Sequence, residues 1–291
     1  MKKLVSALVL ALSFISTGAM AWCQEQMEIS YYYPSQFQAN GWDVFTNLGT
    51  PPKQTPNMIS IMNINSGLSV DFNQDYYDEM QDITQNGYTD PAAPYKINNV
   101  VYLPLGYLTD PNRINVLATN LDAYIANYPA ETVKGIFFDE FPSGYESDAV
   151  LRKDRMNAIT LMVLNKFAAA YGPDFNQTRK WIINPGVYPD LTWLNTNYIW
   201  SGSNTIAMTF EGSHAAYQNI TVPAQWTGFP QSRIAHVVYS VPNTTAAKHG
   251  TLALSKARGA QYVYLTNLDN SYSAPAPFRT SVINKMNACD Y

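Results

Sequence analysis

Short apolar runs alternate with amphipathic segments along most of the chain. Eight runs rich in β-branched and aromatic residues are bounded by Gly, Pro, Asn or Asp, the pattern of short buried strands. They cover residues 27–33, 58–65, 99–107, 133–140, 180–184, 205–211, 233–240 and 261–267. Apolar residues at spacings of three and four predict helices at residues 114–128, 149–171, 246–257 and 278–286.

Strands that alternate with helices are typical of α/β proteins with a parallel sheet. Eight such units favour a closed (β/α)8 barrel of the TIM type over an open doubly wound sheet. Nucleotide-binding folds lose support because no Gly-x-Gly-x-x-Gly follows the first strand and no Gly-Lys-Ser/Thr loop is present. We therefore predict a single barrel domain over residues 22–291.

The first 21 residues have the pattern of an export signal. Lys2 and Lys3 precede an apolar run over residues 4–15, and small residues follow at Ala19 and Ala21. This order predicts a secretory signal peptide over residues 1–21, and its apolar run is too short to span a bilayer. We expect a secreted or periplasmic protein that is not held in a membrane.

The mature chain would contain two cysteines, Cys23 and Cys289, one at each end. In an oxidising compartment such a pair is expected to form a disulfide; two free thiols are the alternative. A bridge requires that the termini lie close together, which agrees with a closed barrel.

The composition narrows the class of function. Of 291 residues, 46% are hydrophobic, 13% aromatic and only 14% charged. The hydrophobic content excludes intrinsic disorder, and the low charge together with the aromatic content favours a secreted carbohydrate-binding protein. The formal net charge is −4, and nothing supplies the basic face that a nucleic-acid partner requires.

Three carboxylates follow apolar strands. Asp139 and Glu140 end the fourth run and Glu211 ends the sixth. Barrel enzymes place catalytic groups at the C-terminal ends of their strands, and an unpaired buried charge is costly, so we predict that Asp139 and Glu211 are catalytic. Two carboxyl groups on different strands are the requirement of glycoside hydrolysis. The structural alternatives are that Asp139 caps the next helix and that Glu211 pairs with an arginine.

Alternation along the strand directs Glu140 away from Asp139 and gives it a supporting or substrate-contacting role. Aromatic faces suit stacking on sugars, and amides can bond to sugar hydroxyls. The predicted substrate contacts are Tyr33, Asn65, Tyr107, Asn184 and Trp226, although packing or strand termination would also explain each of them.

No metal or other cofactor is expected. The histidines are His214, His236 and His249, with neither a His-Glu-x-x-His motif nor a cysteine pair at zinc spacing. A Gly-x-Ser-x-Gly elbow is missing as well, which argues against a serine esterase. His214 either tunes Glu211 or faces solvent, and His236 is a core or cleft residue.

Taken together, the strand ends resemble the spherulin-4 family. The resemblance rests on Tyr-Tyr-Tyr-Pro at residues 31–34, Asn-x-Asn-Ser-Gly at 63–67, Gly-Tyr at 106–107, Gly-Ile-Phe-Phe-Asp-Glu at 135–140, Asn-Pro-Gly at 184–186 and Phe-Glu at 210–211. It implies a (β/α)8 barrel and the activity of glycoside hydrolase family 135, whose members are endo-acting hydrolases of α-1,4-linked galactosaminogalactan. The family's essential acids fall on Asp139, Glu140 and Glu211. The chain departs from the family pattern at residues 76–94 and in the end of its second strand.

On this interpretation Asp139 is the nucleophile or stabilises the oxocarbenium centre, Glu211 is the general acid/base, and Glu140 bonds to substrate. Alternatively, Asp139 positions an N-acetyl group that itself attacks. A non-catalytic polysaccharide-binding protein and a glycosidase for another polymer are the rival functions. In each case we expect a monomer whose partner is a polysaccharide.

Overall fold

Eight parallel strands close into a barrel in chain order, each bonded to the next and the last to the first. The computed structural model describes residues 22–34, 57–67, 71–88, 97–172, 179–194 and 204–291. The predicted signal peptide at residues 1–21 lies outside the described residues. The strands are β1 Glu25–Ser30, β2 Ile59–Met62, β3 Asn98–Pro104, β4 Gly135–Asp139, β5 Lys180–Ile183, β6 Thr205–Ser213, β7 Ile234–Tyr239 and β8 Tyr262–Leu265.

Helices follow most of the strands in the described ranges. They are α1 Gln74–Tyr88, α2 Arg113–Asn127, α3 Ala149–Tyr171, α4 Leu191–Leu194, α5 His214–Asn219, α6 Thr245–Ala257 and α7 Arg279–Ala288. All eight predicted strands and all four predicted helices are confirmed, with end points that differ by a few residues at most. The predicted (β/α)8 barrel is therefore confirmed.

Strand alternation divides the core into two layers. Side chains such as Met27, Ile61, Phe137 and Val237 fill the interior of the barrel. The alternate residues face outward and pack beneath the helices, because successive side chains of a strand point to opposite faces. The interior is a packed core, as in other barrels of this size, so a substrate can only reach the rim.

Helix α1 was not predicted from the sequence. It has few apolar positions, and Tyr76, Met80 and Ile83 bury its inner face at spacings of four and three. This helix occupies most of the stretch at residues 76–94 in which the chain departs from the family pattern.

A disulfide joins Cys23 to Cys289, with their Cα atoms 5.1 Å apart, so the predicted pairing is confirmed. Cys23 precedes β1 and Cys289 follows α7, and the neighbouring pairing of β1 with β8 brings these ends together. In the part of the chain that the structure describes, we find no helix with the length and apolar character needed to cross a membrane.

Candidate active site

Asp139 and Asn184 face the mouth of the barrel because of their position in the strand alternation. Phe137 and Ile182 point into the barrel interior, and Asp139 and Asn184 each lie two residues further along the chain. The carboxyl ends of β4 and β5 are neighbours in the sheet, so the two side chains meet at the same edge.

Glu211 reaches the mouth through an irregularity in β6. Met208 points into the barrel interior, and simple alternation would place Phe210 there and turn Glu211 outward. The register against β7 shifts between Met208 and Phe210, so Phe210 instead packs outward on Tyr217, with ring centroids 4.7 Å apart. A bulge of this kind re-aims the next side chain, and Glu211 turns inward.

The residue after Glu211 must be small. A Cβ atom at Gly212 would lie 2.6 Å from the Phe210 ring, closer than any carbon contact allows. Glycine at this position therefore permits the outward packing of Phe210 on which the direction of Glu211 depends.

A single amide connects the two carboxylates. Nδ2 of Asn184 donates to Oδ1 of Asp139 at 2.7 Å and to Oε2 of Glu211 at 2.7 Å. Its Oδ1 accepts a hydrogen bond from the Gly186 amide at 3.0 Å, which fixes the orientation of the side-chain amide. Since both carboxylate oxygens bond to one nitrogen, they can be separated by no more than twice 2.7 Å.

Each carboxylate has a second donor, a tyrosine hydroxyl. Tyr102 donates to Oδ2 of Asp139 at 2.6 Å, and Tyr272 donates to Oε1 of Glu211 at 2.7 Å. The Tyr31 ring contacts both tyrosines edge to face, at centroid distances of 5.5 and 5.8 Å. Three tyrosines thus enclose the pair of acids.

The electrostatic surroundings of Glu211 favour its protonated form. Burial raises the pKa of Glu211, and the negative charge of Asp139 raises it further, whereas the hydrogen bonds from Asn184 and Tyr272 lower it. The net effect is a pKa above the usual value. The residue retains partial solvent exposure, so a ligand at the mouth can reach it.

The two tyrosine donors keep their protons. Burial is the main cause of the raised pKa of both Tyr102 and Tyr272, and the charges of Asp139 and Glu211, respectively, are the next. Both hydroxyls are therefore neutral donors to the carboxylates throughout the physiological range.

Glu140 lies on the rim, in the left-handed region with φ of 53°. Its Oε2 accepts a hydrogen bond from the Gly106 amide at 2.9 Å, and its carbonyl accepts one from the Tyr107 amide at 2.8 Å. Tyr107 is 50% exposed. These two hydrogen bonds join the loop after β3 to the loop after β4 and place Glu140 beside Tyr107 at the barrel mouth.

The structural alternatives for the two acids are not seen. The N-cap residue of α3 is Asp148, so Asp139 does not cap that helix. The hydrogen-bond partners of Glu211 are Asn184 and Tyr272, and among the described residues no arginine forms an ion pair with it.

The other predicted contacts lie apart from this pair. Tyr33 and Asn65 line a cavity on the β1–β2 side of the barrel mouth. Trp226 is only 2% exposed, packs on Tyr188, and donates from Nε1 to the Pro189 carbonyl at 3.1 Å. The prediction that Trp226 stacks on substrate is therefore wrong, because its buried ring packs on Tyr188 and Phe229 and its indole N–H bonds to a backbone carbonyl.

His236 and His214 have hydrogen-bond partners other than the two catalytic candidates. His236 is fully buried, with Nδ1 2.7 Å from the Tyr217 hydroxyl, and burial together with the Arg258 charge lowers its pKa to about 3. His236 is therefore a core residue, which is one of the two positions that the sequence predicted for it. His214 begins α5 and bonds to Gln218. Within the described ranges, no group of three or more His, Cys, Asp or Glu side chains is arranged to hold a metal ion.

Sequence analysis missed Tyr31, Tyr102 and Tyr272. Tyr31 and Tyr102 follow Ile29 and Val100 by two residues, so their inward direction could have been deduced from the alternation of β1 and β3. Tyr272 lies in the loop after β8, where no periodicity exists, and nothing in the sequence indicated its role.

Comparison with known proteins relates the chain to one family. The model of the family described as spherulation-specific family 4 matches residues 29–286. A crystal structure of Aspergillus clavatus Sph3 in complex with GalNAc is similar at 19% identity and a TM-score of 0.66, over 92% of this chain and 99% of that one. Less similar is a broad-specificity endoglucanase from Clostridum cellulovorans, at 10% identity, a TM-score of 0.48, and 93% and 99% coverage.

Comparison with the curated proteins gave no match. The likeness to Sph3, at this identity, is a likeness of fold. The family match, by contrast, extends from β1 to α7 and includes every strand end described above. It confirms the resemblance found in the sequence: the chain belongs to spherulation-specific family 4.

Proposed function

We propose that this protein is a secreted, endo-acting glycoside hydrolase that cleaves α-1,4-linked polysaccharide containing galactosamine and N-acetylgalactosamine. The observation that carries the proposal is the pair of carboxylates, Asp139 and Glu211, bonded to one amide nitrogen at the barrel mouth. Paired carboxyl groups on opposite sides of a glycosidic bond are what its hydrolysis requires.

The spacing supports a retaining mechanism. Carboxyl groups of retaining glycosidases lie about 5–5.5 Å apart, and those of inverting enzymes about 6.5–9.5 Å. The Asn184 contacts hold the nearest oxygens of the two carboxylates within twice 2.7 Å of each other, and this close approach favours the shorter, retaining arrangement.

Glu211 is assigned as the general acid and base. Its raised pKa keeps a proton available at a pH at which an ordinary glutamate has lost it. Asp139 is assigned as the nucleophile. Donors from Tyr102 and Asn184 fix the direction of its carboxylate.

Two displacements complete the reaction. In the first, Asp139 attacks the anomeric carbon, the bond to the leaving oxygen breaks, and Glu211 gives that oxygen its proton. In the second, Glu211 takes a proton from water, the water oxygen attacks the anomeric carbon, and the bond to Asp139 breaks. At the end of the reaction Asp139 is again a carboxylate and Glu211 is again protonated.

The substrate class follows from the family and from the surface. Sph3, which shares the fold, is a protein solved with GalNAc bound, and members of glycoside hydrolase family 135 act on galactosaminogalactan. A net charge of −4 favours a polymer that carries free ammonium groups. At the rim, Glu140 and the exposed Tyr107 ring would contact the sugar next to the cleaved bond.

Secretion is supported by two features. The basic and apolar start of the chain is that of an export signal. The Cys23–Cys289 disulfide is a bond that persists in oxidising compartments.

The test is to incubate the purified protein with N-acetylated, partly deacetylated and neutral galactose-based polymers and to measure fragment masses. Asp139→Asn serves as the matched control. We expect oligosaccharides from the galactosamine polymers only, and none with the variant. Binding of the polymers without any cleavage would contradict the proposal and would favour the polysaccharide-binding alternative.

A further inference from the structure

A cavity lies beyond the C-terminal ends of β1 and β2, the end of the barrel at which the acid pair also lies. Its volume is about 270 Å³, and its lining includes Tyr33 after β1, Asn65 after β2, and Asp71 and Phe72 just before α1. Asp139, Glu211 and Asn184 do not line it. The mechanism proposed above makes no use of this cavity.

The aromatic walls of the cavity are held in place. The Tyr33 ring meets the Tyr76 ring edge to face at 5.6 Å. Asn73 donates from Nδ2 to the Tyr33 hydroxyl at 3.1 Å, and its Oδ1 accepts from the Tyr76 amide at 3.2 Å. The contact with the Tyr76 amide caps the start of α1, so the wall and the helix are fixed by one side chain.

Phe72 presents an apolar face at the opening. It is 50% exposed, although its ring contacts Tyr77 at 5.6 Å and lies nearly parallel to Tyr128 at 6.4 Å. These contacts hold one part of the ring and leave the remainder accessible to a ligand.

Polar groups complete the lining. Asp71 and Asn65 are both exposed and line the same cavity. A carboxylate offers only acceptors, and an amide offers both donors and acceptors. Ligand sites commonly combine apolar walls with a few polar groups that fix orientation. A ring with hydroxyls on its edge and C–H bonds on its faces matches this lining, and a pyranose is such a ring.

Tyr102 lies between the acid pair and the turn that follows β2. The turn over Asn65–Gly67 packs on Tyr102 so closely that a Cβ at Gly67 would lie 2.8 Å from the Tyr102 carbonyl. The Tyr102 hydroxyl in turn donates to Asp139. A polymer chain that runs from Asp139 across the ends of β3 and β2 would pass Asn65, which belongs to this turn and lines the cavity.

We propose that the cavity lined by Tyr33, Asn65, Asp71 and Phe72 is a distal subsite that binds one pyranose unit of the polymer. Asp71 accepts hydrogen bonds from the sugar, and Phe72 packs on its face. The inference rests on the proposed function for the identity of the polymer, but its binding site is separate from the acids.

The kinetic test compares Asp71→Ala and Phe72→Ala with Asp154→Ala, a matched control that removes an exposed aspartate from α3. The substrates are short and long α-1,4-linked galactosamine oligosaccharides, N-acetylated or free. We expect Asp71→Ala to lower kcat/KM on the long substrates about tenfold, as for loss of one hydrogen bond to a charged group. Phe72→Ala should lower it as well through lost packing, and both variants should leave the shortest cleaved substrate unaffected. Equal effects on short and long substrates would overturn the subsite.

A binding measurement separates this inference from the proposed function. Titration of the long oligosaccharides into the Asp139→Asn/Glu211→Gln double variant, with and without Asp71→Ala, measures affinity without turnover. We expect Asp71→Ala to weaken binding about tenfold there, even if the parent protein hydrolyses nothing. Unchanged affinity, with thermal unfolding showing folded protein, would overturn the subsite whatever the catalytic result.

Discussion

Asp139 and Glu211, separated by 71 intervening residues, accept hydrogen bonds of 2.7 Å from the same nitrogen atom, Nδ2 of Asn184. Two carboxylates this close repel each other when both are ionised. Burial and the charge of Asp139 raise the pKa of Glu211. Glu211 therefore keeps its proton to a higher pH than an ordinary glutamate and can act as the general acid.

Replacing Tyr272 with Phe should move the alkaline limb of the pH–rate profile to higher pH. The Tyr272 hydroxyl stabilises the ionised form of Glu211 and lowers its pKa, so its loss leaves Glu211 protonated over a wider range. The measurement is kcat/KM against pH, which reports the groups of the free enzyme. A limb that stays in place, or moves to lower pH, would contradict the role given to Tyr272.

Asn184→Ala should reduce kcat by about 10²-fold, because misplacement of a reacting group by about an ångström costs that much. The amide holds both carboxylates, whereas the backbone of Asn184 stays bonded to Phe138 and Phe141. The alkaline limb should again rise, since the Asn184 contact lowers the pKa of Glu211. A variant that raises KM alone, with kcat and pH profile unchanged, would make Asn184 only a sugar contact.

Glu211→Gln should stabilise the fold at neutral pH. A raised pKa means that folding favours the protonated form of Glu211, so the contribution of this group is fully present below its usual pKa and is lost as pH rises through the raised value. The amide cannot ionise and avoids that loss. Thermal unfolding across pH should give a higher Tm for the variant at neutral pH and a difference that shrinks in acid. The opposite trend would show that Glu211 is stabilised as an anion.

Replacing both Cys23 and Cys289 with Ser should lower the free energy of unfolding by about 3–5 kcal/mol, because the bridge closes a very long loop; the two residues are 266 positions apart. Denaturant titration of the parent and the double variant measures it. Activity well below the Tm should be retained, because Cys23 precedes β1 and the acids lie at the opposite ends of the strands. Equal stability of parent and variant would contradict the prediction.

The sequence predicted the features that follow from the periodicity of apolar residues and from the residue types at the strand ends. Alternation along β4 predicted that Asp139 and Glu140 point in different directions, and the eight apolar runs predicted the barrel that the structure contains. Glu211 was correctly placed at a strand end, but its inward direction depends on the irregularity before Phe210, which no alternating pattern contains. That direction depends on tertiary packing, because it requires the Phe210 ring to pack on Tyr217 of α5.

The errors concerned residues whose surroundings come from distant segments. Trp226 was assigned to substrate because an aromatic ring in a loop can either stack on a sugar or pack, and Tyr188 and Pro189 decide for packing. Tyr272 could not be found because loop residues have no period. Helix α1 was missed because the buried apolar residues described in it, Tyr76, Met80 and Ile83, are too few to give a clear pattern.

The most direct test of the paired-carboxylate mechanism is the turnover of Asp139→Asn and of Glu211→Gln on a galactosamine polymer that the parent protein degrades. We predict that each substitution lowers kcat/KM by at least about 10²-fold, equivalent to roughly 3 kcal/mol of transition-state stabilisation, while circular dichroism shows a folded barrel. Parent-like turnover by either folded variant would contradict the mechanism.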